Sequence, residues 1–245
     1  MTFPSVAAGN TSTESTAVST HGVAMPATVN VGELMLLKVS TGGEPVIIMP
    51  AGWENAYTPV VFTSVSLACF KKIADGTEGG TTVNFTTEDS GGSPLLVKSS
   101  HIACAITGWV GDLAGVVAAP AAFEANTTNP NPPSVTATWA GGDNLFLAQM
   151  SMHRTAAITG YPTNYTTNQT EISTGSAGQD SIVAMATRAL AANSDDPDTF
   201  SAAIARRSIA QTLVIAPVGA VLPKGIPTRS IPNSMVGAFV GSIIN

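Results

Sequence analysis

Charge is what this chain has least of: 10 Lys and Arg plus 16 Asp and Glu in 245 residues, 11 % against the roughly 25 % of an ordinary soluble domain. With a formal net charge of −6, the sequence shows no clustering of cations, so a nucleic-acid partner is not expected. Long apolar runs are missing as well. The least polar stretch, Ile106 to Phe123, holds Asp112 and is broken by Gly108, Gly111, Gly115 and Pro120, which a spanning helix of about 20 apolar residues does not favour. No membrane partner is expected. The opening segment MTFPSVAAGNTSTEST lacks the basic region and apolar core of a secretory signal, which predicts synthesis in a cytosol.

Cysteine and histidine are equally scarce. Cys69 and Cys104 lie in apolar alternating runs and are too few to staple a chain of this length. They read as buried free thiols, with a disulfide between neighbouring strands as the other option. His21, His101 and His153 are far apart and fit no zinc-ligand spacing. No G-x-S-x-G elbow and no phosphate-cradling glycine loop is present, and Ser93 is followed by proline where the elbow needs a helix start. Glu54, Asp75, Glu78, Asp112, Asp143 and Asp180 offer carboxylates, but nothing in the sequence pairs two of them for glycoside cleavage. The chain is therefore not expected to be an enzyme, and it implies no cofactor and no metal. The oxygen-rich run Asn193-Ser194-Asp195-Asp196-Pro197-Asp198 has chemistry suited to calcium but lacks the glycine and distal glutamate of an EF-hand loop, so a solvated turn is favoured. Sequons at Asn10, Asn84, Asn126, Asn164 and Asn168 follow from the Thr and Asn content.

What fills the chain instead is Thr, Ser, Ala, Gly and Val, in runs of alternating apolar residues closed by Gly, Pro, Asn or Asp. Glu33 to Ser40 reads as a central strand. Val60 to Phe70 reads as one half-buried strand that turns through residues 73–80 into Thr81–Thr86 as a hairpin. Further strands are predicted at His101–Gly108, Ser134–Trp139, Asn144–Met152, Ser181–Leu190 and Ser208–Pro217, with a short helix at Pro120–Asn126. These patterns predict an all-β antiparallel sandwich, jelly-roll-like, over residues 1–218, with the Ser/Thr side of each strand in water. Residues 219–245 form a separate apolar arm or extra strand. Its Met235, Val236, Phe239, Val240, Ile243 and Ile244 are candidate subunit-interface residues.

Aromatic platforms are few. Trp139 ends an alternating strand and is placed in the core, whereas Trp53 follows the turn Pro50-Ala51-Gly52 and is the candidate for stacking on a sugar ring.

The stretches MPATVNVGELMLLKVS (25–40), MPAGWENA (49–56), FKKIADGTEGGTTVNFT (70–86), ITGW (106–109), NPNPPSVTATWAGGDNLFLA (129–148) and ITGYPTNYT (158–166) together resemble a family of bacteriophage virion proteins. The resemblance covers about Pro4 to Pro217, and ADGTEGG is its most specific part. It implies a β-sandwich scaffold in a virion, in proteins described as decoration, tail-fibre or tail-associated, and it brings no catalytic motif. The expectation is a head decoration or cement protein on the outer capsid surface, with the major capsid protein as partner. It would act as a homo-oligomer, taken as a trimer from the setting alone. The alternative is a tail-fibre or receptor-binding module that recognises host glycans through Trp53. A polysaccharide-degrading enzyme is a weaker third reading.

Overall fold

The computed structural model describes residues 2–140, 142–174 and 179–223. The first half of the chain forms β1 (Ser5–Val18), β2 (Thr20–Ala24), β3 (Leu34–Gly42), β4 (Val46–Ile48), β5 (Glu54–Asn55), β6 (Val60–Phe62), β7 (Val65–Ile73), β8 (Thr82–Glu88) and β9 (Val97–Thr107). A 3₁₀ turn at Leu113–Gly115, capped by the Asp112 carboxylate accepting the Ala114 N–H at 2.9 Å, leads into the second half. There the chain forms β10 (Val116–Ala118), β11 (Ala122–Thr127), β12 (Val135–Thr136), β13 (Asn144–His153), β14 (Ile158–Gly160), β15 (Thr166–Ile172), β16 (Ser181–Leu190), β17 (Ser194–Asp195), β18 (Ser201–Ala202) and β19 (Arg206–Ile215). The all-β antiparallel sandwich expected from the alternation is present.

The two halves follow one plan. The large sheet of the first is ordered β1-β9-β3-β7-β5 with β6 also on β7, and that of the second β10-β19-β13-β16-β15 with β11 also on β19. The small sheet β2-β8-β4 of the first half corresponds to the ribbons β12-β17 and β14-β18 of the second. Register carries the match to single residues: Leu34 lies opposite Ile106 and Ile73, and Leu145 opposite Ile215 and Ala189. Leu34, Leu36, Lys38 and Ser40 therefore occupy the places of Leu145, Leu147, Gln149 and Ser151. The turn Pro50–Trp53 matches Pro162–Tyr165: each aromatic N–H donates to the proline carbonyl, at 3.2 and 3.1 Å, after a left-handed residue, Gly52 (φ 79°) or Asn164 (φ 65°).

Four layers result. The large sheets meet through Leu34, Leu36, Ile102 and Ile106 on one side and Leu145, Leu147, Leu213 and Ile215 on the other. The outer face of the first large sheet, with Met35, Leu37 and Phe70, is covered by Val23, Ile47 and Phe85 of its small sheet. The outer face of the second, with Phe146, Met150 and Ile182, is covered by Val135, Trp139, Phe200 and Ala202. All nine residues of β3 and all ten of β13 are buried, because each large sheet has protein on both faces. That burial accounts for the shortage of charge.

Several sequence expectations change accordingly. The strand Val60–Phe70 is not half-buried with its Ser face in water. It is broken by Thr63 (φ 30°) and Ser64 (φ 80°) into the hairpin β6–β7, and the first seven residues of β7 are buried. β8 does not form a hairpin with β7; it crosses to the small sheet and pairs with β2 and β4. Residues 120–126 form no helix, since Ala122–Thr127 pairs with β19 as a strand. Trp109 donates its indole N–H to the Gly32 carbonyl at 2.8 Å, fastening the segment after β9 to the approach to β3. After β19 the chain runs irregularly to Pro223, with Leu222 packed against the outer cluster. Met235, Val236, Phe239, Val240, Ile243 and Ile244 lie outside the described residues.

Candidate functional site

The residues singled out from the sequence fall mainly into structural roles. Trp53 is corrected: it is only 6 % exposed and belongs to the cluster under the first small sheet, so it offers no face to a sugar. Trp139 is buried as expected and donates to Asn144 Oδ1 at 2.8 Å. The stretch ADGTEGG is a loop that caps itself. Asp75 Oδ1 accepts the Thr77 N–H and hydroxyl at 2.9 and 2.5 Å, Glu78 accepts the Asp75 and Gly76 N–H groups, and Lys72 bridges both carboxylates at 3.1 and 2.7 Å. The Thr77 hydroxyl and amide, and then Lys72, hold the Asp75 carboxyl down at about 2.

Asp195, placed by the sequence in a solvated turn, is instead buried. Tyr165 donates its hydroxyl to Asp195 Oδ2 at 2.6 Å and Arg188 reaches Oδ1 at 2.9 Å. Burial first, then that contact, pushes the Tyr165 phenol well above its ordinary range. Among the described residues no cluster of His, Cys, Asp and Glu has metal-holding geometry. Cys69 and Cys104 are buried free thiols, and burial pushes Cys69 up to about 12, which keeps it protonated and unreactive at neutral pH.

Two histidines that are distant in sequence meet in the fold. His21 and His101 both contact Ser99 Oγ at 2.7 Å, and the Phe85 ring stacks on His21 at 4.5 Å. The Thr87 hydroxyl donates to the Leu95 carbonyl at 2.7 Å, so it accepts from His21 Nε2. His21 Nδ1 then accepts from Ser99, Ser99 accepts from His101 Nε2, and His101 Nδ1 accepts from Ser12, whose oxygen takes the Ala24 N–H. The chain Ser12–His101–Ser99–His21–Thr87–Leu95 is closed, with both imidazoles neutral, and it ties the small sheet to the large one.

The seam between the large sheets is apolar at one end and polar at the other. The Ser40 hydroxyl bonds to that of Ser151, its counterpart, and Ser151 donates a hydrogen bond to the Ser66 carbonyl at 2.9 Å. Gln149 donates to the Tyr57 hydroxyl at 2.7 Å, and buried Lys98 pairs with buried Asp180 at 2.7 Å. Lys38 is fully buried, with its Nζ donating to Cys104 Sγ at 3.1 Å. A buried amine whose hydrogen-bond partner is a thiol is poorly compensated for the water it has lost. Lys38→Met should therefore raise stability by about 1–3 kcal/mol in urea unfolding, and a loss would show that the lysine is needed for packing or pairing.

Two surfaces remain. The first is apolar and runs along sheet edges. Val46 and Ile48 on β4 are 47 and 38 % exposed, and Phe62 of β6 packs against Phe123 of β11 with ring centroids 5.4 Å apart and planes tilted by 53°, with Phe123 47 % exposed.

The second is a basic cleft of about 380 Å³ lined by Ala125, Asn126, His153, Arg154, Ala205, Arg206 and Arg207. Three of the chain's 10 basic residues converge here, brought together by the ends of β13 and β19. The expectation of unclustered cations does not hold at this point, and only the adjacency of Arg206 and Arg207 signalled it in the sequence. Comparison with known protein families, curated proteins and solved structures finds no match.

Proposed function

We propose that this chain is a structural subunit of a bacteriophage virion, a head decoration or cement protein that self-associates and binds the outer capsid surface through the major capsid protein. The observation that carries the reading is the apolar surface left in water along strand edges, Val46 and Ile48 on β4 and Val61, Phe62 and Phe123 on β6 and β11. A covering subunit would hide it. The strand order supports the setting: each half passes between a large and a small sheet in a jelly-roll-like order, an architecture shared by capsid proteins and lectins. The sequence resemblance points the same way. The apolar segment at 235–244 supplies further contacts to neighbouring copies, and a trimer is the oligomer proposed.

The test is direct mixing with undecorated heads of the parent phage. Saturable binding is expected. Phe123→Asp should weaken it at least about tenfold while shifting stability by no more than about 0.5 kcal/mol, as for an exposed site. No saturable binding by the unmodified protein sinks the proposal.

A further inference from the structure

The two halves can be compared position by position, and where they differ is informative. Gly43 (φ 81°) follows β3 in the first half, and its N–H donates to the Ser64 carbonyl at 2.9 Å. The matching residue in the second half is Arg154 (φ 66°), with its N–H on the Asp180 carbonyl at 2.6 Å. A left-handed backbone is free for glycine and strained for arginine, so the chain accepts a cost to place a guanidinium here.

The same comparison extends to β19. Ser99 and Ser208 are matched, each being opposite the residue next to the end of its central strand, Thr41 or Met152. Lys98 and Arg207 are therefore matched too. Lys98 has the Asp180 carboxylate, but the place of Asp180 in the first half is Ser64, which offers Arg207 no acid. None of Arg154, Arg206 and Arg207 forms an ion pair among the described residues. Arg206, which lines the cleft, has its Nε buried without a hydrogen-bond partner. Buried polar atoms without partners are rare and call for a ligand or another explanation.

We infer that the cleft between the ends of β13 and β19 is a binding site for a phosphomonoester carried on a sugar-sized molecule. Three guanidiniums around one concavity suit a doubly charged tetrahedral oxoanion, which arginine grips through paired N–H donors. A volume of about 380 Å³ is within the range of small-molecule sites and far larger than phosphate alone. Asn126 also lines the cleft and brings a polar side chain to it. The inference does not depend on the assembly reading.

Isothermal titration of the full chain with glucose 6-phosphate, inorganic phosphate and glucose tests it. Glucose 6-phosphate should bind saturably with Kd of about 1 mM or better, inorganic phosphate more weakly, and glucose not at all. Arg154→Gly restores the residue the first half uses, so it should weaken glucose 6-phosphate binding about tenfold or more while leaving the melting temperature unchanged or higher. Arg207→Gln should weaken it by a similar factor. Absence of saturable binding by the unmodified protein, or undiminished binding by both variants, overturns the site. Equal affinity for inorganic phosphate and the sugar phosphate overturns its sugar component.

Discussion

Acidification from pH 7 to pH 4 should destabilise the protein by on the order of 5 kcal/mol, with most of the loss appearing below pH 6.5. Burial lowers the His21 imidazole to about 4, and burial together with the nearby His21 lowers His101 to about 3. Well above pH 6.5 both residues are neutral in the folded and unfolded chain, so they add no pH dependence there. As pH falls through 6.5 the unfolded chain takes up protons that the folded chain refuses, and stability drops with each unit by up to about 1.4 kcal/mol per histidine. The loss due to His21 levels off near pH 4 and that due to His101 near pH 3. Protonation breaks the Ser12–Leu95 chain at a defined point, because His21 Nδ1 and His101 Nδ1 are both acceptors in it. Urea midpoints measured every half unit from pH 7.5 to 4.5 give the curve. His101→Gln should remove about half of its slope whatever it does to the absolute midpoint, and a flat wild-type curve across that interval would refute the assignment.

Trp53→Ala should cost about 3–5 kcal/mol, which for a chain of this length lowers the melting temperature by roughly 10 °C. The side chain fills the space beneath the first small sheet alongside Met25, Val29 and Phe70, and little around it can collapse into the void. Tyr165 is the matching aromatic and is 7 % exposed, so Tyr165→Ala should be costly as well and should also leave Asp195 Oδ2 without its donor, with Arg188 still on Oδ1. Thermal melts of purified variants decide this. A Trp53→Ala protein that melts like the wild type would mean that the indole is not packed as described and would reopen its use as a sugar platform.

The long strands were legible in the sequence because each pairs a turn signal with an uninterrupted apolar run. Ser181–Leu190 is recovered to the residue, and Asn144–Met152 stops one short of His153. β1 was missed because Ser5–Val18 is rich in Thr, Ser and Ala, and its strand state is set by pairing with β9 rather than by its own alternation. The partners of β8 were missed for a related reason: a turn sequence fixes a change of direction, not which sheet receives the next strand. Water was assigned to one face of each strand because the period of two shows two faces and cannot show that a second layer covers both.

The internal correspondence was visible in principle. L-x-L-x-K-x-S at Leu34–Ser40 and L-x-L-x-Q-x-S at Leu145–Ser151 share three of the four inward positions, and a proline stands three residues before each buried aromatic. The basic cleft was not visible in this way. Arg154 and Arg206 are separated by five strands, β14 to β18, and only the pairing of β13 with β19, which sets Met152 opposite Ser208, brings them together.

A protein made of two like halves behaves toward any partner as a pair of paralogous surfaces on one body. Wherever the backbones agree, a binder that read only main-chain shape would find two addresses and could not choose between them. Discrimination then rests on the few places where the backbones agree and the side chains diverge, such as Gly43 against Arg154. Those positions give the molecule a front and a back.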